Sequence, residues 1–192
     1  MSLLLPSVAL GVLFGFMRGG NLTRLARFPL HFSWLVILAF LIQFAVFDSP
    51  LQARLSADLV IPILHVVSLL LLLWMVASNR SFLGARILGL GLLLNFLVIV
   101  ANGGYMPASY ERLQSLGLDA EIQLLRENGH YGKDVLSAPE TRLAFLGDNF
   151  SIDTPATRKK LFSVGDVFIA TGAFILVSEA MVWRPRRWGG YY

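Results

Sequence analysis

Four apolar runs, each near the length of a membrane crossing, limit what this chain can fold into more than any other feature. Spanning the hydrocarbon core takes about 20 mainly apolar residues, with a range of roughly 17 to 25. Residues 28–47, 59–77, 82–101 and 164–183 all meet that length. A fifth run, 3–17, is shorter and holds Pro6 in its first turn. Proline is tolerated there, and a short span can be accommodated by tilt or local thinning. Charged residues are only 15% of the 192 residues and mean hydropathy is +0.66, whereas a soluble domain carries about 25% charged residues. The expected fold is an all-α membrane protein: one polytopic domain over 1–192, built as a bundle of five transmembrane helices.

The first run is read as a retained span rather than a signal peptide. No basic segment precedes it, and the arginines follow it at Arg18, Arg24 and Arg27. Basic residues near span ends then set the direction of insertion. Arg18, Arg24, Arg27, Arg80, Arg86, Arg184, Arg186 and Arg187 fall on one side, and Arg54 alone on the other, leaving aside the long loop. This places the N-terminus outside and the C-terminus in the cytoplasm of a bacterial inner membrane. Trp34, Trp74 and Trp183 fall near the cytoplasmic ends of their spans, where indole rings favour the interface. The net charge of +4 sits in short clusters beside apolar runs, so it marks topology and not nucleic-acid binding. There is no cysteine, which excludes disulfides, thiolate nucleophiles and cysteine metal sites.

The outer loop, 102–163, is nearly charge-balanced. Within it, residues 110–126 carry Leu113, Leu116, Ala120 and Leu124 at steps of three or four, the pattern of an amphipathic helix capping the bundle. Gly117 weakens that helix by about 1 kcal/mol relative to alanine, so a break can occur there. Residues 128–134 are turn-rich and expected to be irregular.

Small residues at four-residue spacing mark close helix contacts in lipid. Ser7, Gly11, Gly15 and Gly19 form such a stripe in the first span, and Ala85 and Gly89 form another in the fourth. These predict tight packing among spans one, four and five.

Polar residues inside a membrane are functional candidates by default. Gln43, His65, Asn95 and Asp166 all fall within about the outer third of their spans at 1.5 Å per residue. A shared depth on four helices predicts one polar cluster, roofed by the loop with Asn102 and Asp148. Each member also has a plain structural role. Ser163-x-x-Asp166 matches a capping box, while Asn95 and Gln43 suit interhelical hydrogen bonds. His65 suits a bond within the bundle. Gly103 and Gly104 suit a positive-φ turn at a helix end, which Pro107 stops from continuing, and Asp148 beside Gly147 suits a turn. Glu179 near Arg184 and Arg186 reads as a snorkelled ion pair.

Asn95, then Asn102-Gly103-Gly104-x-Met106-Pro107, Leu146-Gly147-Asp148 and Phe162-Ser163-x-Gly165-Asp166 resemble the pattern of an uncharacterised family of bacterial integral membrane proteins, a domain of unknown function. Leu64, His65, Ser68 and Asn79 are similar to it as well. The resemblance covers nearly the whole chain and implies a small polytopic protein with an outward motif loop. It brings no activity, substrate or cofactor.

No nucleophile–base pair or metal set is legible, so no catalytic or metal-binding residue is assigned and the cofactor is left unknown. The first functional reading is a non-enzymatic accessory subunit of a larger membrane complex, in contact with membrane lipids. The alternative is a membrane enzyme or carrier at the outer leaflet, working through Asp148, Asp166, His65 and Asn95. A sensor ranks last, because only a short tail follows Trp183.

Overall fold

A computed structural model describes residues 3–47, 59–154 and 158–184. Arg54, Arg186 and Arg187, used above for orientation, lie outside the described residues. Most of the chain is helical, with eight α-helices among the described residues. Three are long and apolar enough to cross a membrane: α4 (Val60–Ser78), α5 (Leu83–Ala101) and α8 (Val164–Val182). Two more apolar helices, α1 (Leu4–Met17) and α3 (Trp34–Phe47), have 14 residues each, and a short α2 (Leu22–Ala26) lies between them.

The run expected over 28–47 is helical only from Trp34 onward. Two features hold 28–33 out of the helix. Pro29 disfavours helical geometry at Phe28 before it. Asn79 also captures the His31 backbone, with its Oδ1 accepting from His31 N at 2.9 Å and its Nδ2 donating to His31 O at 2.8 Å. Asn79 is 1% exposed, so this clamp is an interior one.

The five apolar helices form an arc in the order α3, α4, α5, α8, α1. Neighbours α3–α4, α4–α5 and α5–α8 run antiparallel, while α1 and α8 run parallel, since Gly11 meets Phe174 and Gly15 meets Met181. The α5–α8 contact is backbone-close on both sides. A Cβ on Gly84 would overlap Leu176, one on Gly172 would overlap Leu88, and one on Gly91 would overlap Ile169. In lipid, such small-residue contacts replace the hydrophobic drive that water provides. Ala85 is buried in this region, whereas Gly89 faces Val76 and so packs α5 on α4.

Gly19 departs from the expected packing stripe. It has φ +73° with nothing near a built Cβ, and Gly20 N donates to Gly15 O at 2.9 Å. It therefore ends α1 in a left-handed turn, the usual use of glycine just past a helix. Glu179 departs too. Its carboxylate accepts from Leu83 N at 3.3 Å and Gly84 N at 3.1 Å, capping the N-terminus of α5; among the described residues it makes no ion pair with Arg184, and Arg186 lies outside them. Phe82 supplies no side-chain cap there, so the orphan amides take a carboxylate from across the α5–α8 contact.

The segment between α5 and α8 folds into a small cap. It contains β1 (Met106–Ala108), α6 (Tyr110–Ser115), α7 (Asp119–Asn128), β2 (Asp134–Leu136), a 3₁₀ turn (Ala144–Leu146), and the hairpin β3 (Phe150–Thr154) and β4 (Arg158–Phe162). The single helix expected over 110–126 is broken at Gly117, which takes φ +64°. The break resets the helical phase. Leu113 and Leu116 are buried before it, and Ile122 and Leu125 after it, in place of Ala120 and Leu124. Residues 128–134, expected to be irregular, lead into β2, which pairs parallel with β1. Met106 and Leu146 pack on Leu69, Val98 and Ile99, seating the cap on α4 and α5.

Candidate functional site

The Asn-Gly-Gly segment is shaped by the end of α5. Gly104 N donates to Ile99 O at 2.8 Å, with φ of +71° at Gly103 and +93° at Gly104. This closes the helix in a left-handed motif and turns the Gly104 carbonyl toward α4. His65 Nδ1 donates to that carbonyl at 2.7 Å. In the neutral ring this leaves the lone pair on Nε2. Gly104 also sits so tightly on Pro62 that a Cβ would overlap it. Asn102 faces away from the bundle interior. Its Nδ2 donates to Val98 O and Arg142 O, and its Oδ1 accepts from Arg142 N at 3.0 Å, tying the cap to the helix end.

The chain then enters β1, where Met106, Pro107 and Ala108 are buried. The Gly147-Asp148 segment lies on one edge of this strand: Asp148 N donates to Pro107 O at 2.8 Å and Ser109 N to Asp148 O at 3.2 Å. Lys133 lies on the other edge, its carbonyl accepting from Met106 N at 2.8 Å. Two motifs and one lysine therefore meet across three strand-like segments. Lys133 Nζ bonds Asp134 Oδ1 at 2.7 Å and Asp148 Oδ2 at 3.0 Å. Burial works against the Lys133 charge, but Asp134 and Asp148, with Asp166 beyond them, more than offset it and raise its pKa. Asp134 is also pushed up, by burial first and by Asp148, against the pull of Lys133. Asp148 is only 2% exposed, and its Oδ1 has no hydrogen-bond partner among the described residues.

The third motif forms the start of α8. Ser163 Oγ accepts from Asp166 N at 3.0 Å, and Asp166 Oδ2 accepts from Ser163 N at 3.4 Å, which makes a capping box. Asn95 joins it from α5, with Nδ2 donating to Asp166 Oδ1 at 2.9 Å and Oδ1 accepting from Ser163 Oγ at 2.9 Å. Gly165 is required by this approach, because a Cβ there would overlap the Asn95 amide. Asp166 is thus both cap and interhelical acceptor.

Gln43, His65, Asn95 and Asp166 all line one cavity of about 260 Å³. Gln43 Nε2 donates to Ser68 Oγ at 3.0 Å, and Ser68 in turn to His65 O at 2.7 Å. The apolar part of the wall comes from five helices, for example Leu4, Phe40, Leu72, Leu92 and Ile169, and from Met106 of β1. Lys133 closes the polar end from the cap. Asn102 and Asp148 do not line this cavity. Asp148 lines a second cavity, of about 340 Å³, inside the cap, and Lys133 forms a wall of both. Lys133 was not singled out in the sequence, where it sits among turn residues and only its β1 pairing reveals its position. Among the described residues no group of three His, Asp or Glu side chains converges as a metal site.

Residues 27–178 match DUF5317, a family of unknown function. The chain belongs to this family. An uncharacterized protein of Thermotoga maritima is similar to it, 24% identical over 167 residues that span 87% of this chain and 83% of that one. No solved structure matches. In this DUF5317 protein the three motifs are not scattered turns. One orders the end of α5, one buries an acid beside Lys133, and one opens α8 against Asn95.

Proposed function

We propose that this DUF5317 protein is a five-pass membrane protein that binds an amphiphile from the bilayer, apolar body between the helices and polar end under the cap. The observation that carries this reading is the cavity itself. Its hydrogen-bonding groups, Gln43, His65, Asn95, Asp166 and Lys133, share its wall with a larger apolar surface. Ligand sites have this form, mostly apolar with a few convergent polar groups. The 14-residue α1 and α3 cross by local thinning or tilt. The cap faces outward and the C-terminus faces the cytoplasm of a bacterial inner membrane, on the arginine asymmetry. The role is that of a carrier or an enzyme working on the bound amphiphile, with no reaction assigned.

The accessory-subunit reading draws on exposed faces such as Leu10 and Leu13 of α1 and Ile37, Leu41 and Phe44 of α3. Lipid needs those same faces, so no specific observation favours a partner protein. The test is native mass spectrometry of protein purified in mild detergent, wild type beside Leu72→Trp, which fills the cavity. The wild type should retain a defined amphiphile, and the variant should lose it while still unfolding cooperatively, its midpoint lowered by no more than the bound amphiphile adds. Equal retention by both, or by neither, counts against the reading.

A further inference from the structure

The cap cavity has a chemistry of its own. Among its lining residues are three carboxylates, Glu121, Asp134 and Asp148, and three ammonium groups, Lys133, Lys159 and Lys160. Lys133 and Asp134 satisfy each other, and Lys133 takes one oxygen of Asp148. What remains unpaired among the described residues is Glu121 and the second oxygen of Asp148 on one side, and Lys159 and Lys160 of β4 on the other. Asp148 is 2% exposed and its Oδ1 is without a hydrogen-bond partner, an arrangement that costs about 1–3 kcal/mol unless a donor arrives. Lys159 and Lys160 are exposed at the rim. A ligand of one sign would leave half of these groups unmatched.

We propose that the cap cavity binds a small zwitterion carrying a primary ammonium, held by Asp148 and Glu121, and an anionic group, held by Lys159 and Lys160. A primary ammonium suits Asp148 Oδ1, which accepts from a donor hydrogen and gains most from a charged one. A quaternary ammonium has none and is ordinarily recognised by an aromatic cage, whereas among the described residues Tyr131 alone is aromatic on this wall. Lys133 is a wall shared with the cavity between the helices, and a phosphoethanolamine lipid is one carrier of such a headgroup. That link to a lipid rests on the amphiphile reading above; the zwitterion site does not.

The test is calorimetric titration of the full-length protein in lipid-free detergent with glycerophosphoethanolamine and glycerophosphocholine. It is repeated as a thermal-shift comparison in phosphatidylethanolamine and phosphatidylcholine nanodiscs. The ethanolamine form should bind about tenfold more tightly than the choline form, the loss of one charge-assisted hydrogen bond. Binding of the soluble headgroup assigns the site to the zwitterion itself, whereas stabilisation seen only in phosphatidylethanolamine nanodiscs assigns it to the lipid. Asp148→Asn should abolish the preference. If that variant does not fold, Lys159→Ala and Lys160→Ala carry the test, each weakening binding about threefold as rim charges do. An equal response to the ethanolamine and choline forms in both titration and nanodiscs, or rim variants that bind like wild type, overturns the proposal. A protein that retains amphiphiles without headgroup preference would fail here while leaving the amphiphile reading intact.

Discussion

Lys133→Met removes the ammonium that holds both Asp134 and Asp148 in the cap. In the wild type, Asp148 is 3% exposed at its side chain, with Oδ2 at 3.0 Å from Lys133 Nζ and Oδ1 unpartnered. Removing the ammonium leaves a buried carboxylate with neither oxygen bonded by a side chain. Breaking a buried pair from one side costs about 3–5 kcal/mol. The Lys133 side chain is 41% exposed, so solvent screens part of this, and about 2–3 kcal/mol is expected. For a chain of this size each kcal/mol moves the midpoint by roughly 2–4 °C, giving a fall of roughly 4–12 °C. Thermal unfolding in detergent, followed by tryptophan fluorescence, reads it. The double variant Lys133→Met/Asp148→Leu should regain the Asp148 share of the loss, because a neutral apolar pair removes that buried charge, while Asp134, 32% exposed at its side chain, relies on solvent. A single variant melting with wild type, or a double variant no better than the single, would refute the buried-pair argument.

Asn95→Ala removes two interhelical hydrogen bonds, one to a carboxylate. It should destabilise the α5–α8 contact by about 1–3 kcal/mol in denaturant titration, the lower figure reflecting the modest value of such bonds in membranes. Gly104→Ala places a Cβ on Pro62 at a φ of +93°. It should fail to accumulate or lose more than about 2 kcal/mol, and normal abundance with a normal melt would contradict the fit. Asp134 has a raised pKa from burial and Asp148, so its protonated form is favoured in the fold. Its stabilising effect is complete below its ordinary value of 3.8 and is lost as pH rises through the folded value. Asp134→Asn should flatten the melting curve's pH dependence just above that value, and superimposable pH profiles for variant and wild type would contradict the sign.

Helices α4, α5 and α8 were legible in the letters because each is one uninterrupted apolar run. Span two was read six residues too long, since hydropathy cannot register that Asn79, 48 residues away in sequence, holds the His31 backbone. The cap was poorly legible. Gly117 signalled a break in its helix, but β1 and β2 are three residues each and pair across 28 positions, a contact no local pattern encodes. Within the candidate site, helix depth placed Gln43, His65, Asn95 and Asp166 at one level, and all four line one cavity. Asn102 and Asp148, expected in the loop roofing that cluster, do not line this cavity, because loop position says nothing about which way a side chain turns. Lys133 was invisible for the converse reason, as its position is set by the strand beside it.

Site-specific photocrosslinking in intact membranes tests the amphiphile reading most directly. A photoreactive phenylalanine analogue is placed either at Phe40, which lines the cavity, or at Ile37, which is 65% exposed on the outer face of the same helix. Mass spectrometry should find one enriched amphiphile attached at position 40 and the bulk lipid mixture at position 37. The same bulk mixture at both positions, or no adduct at position 40, would contradict a selective intramembrane site.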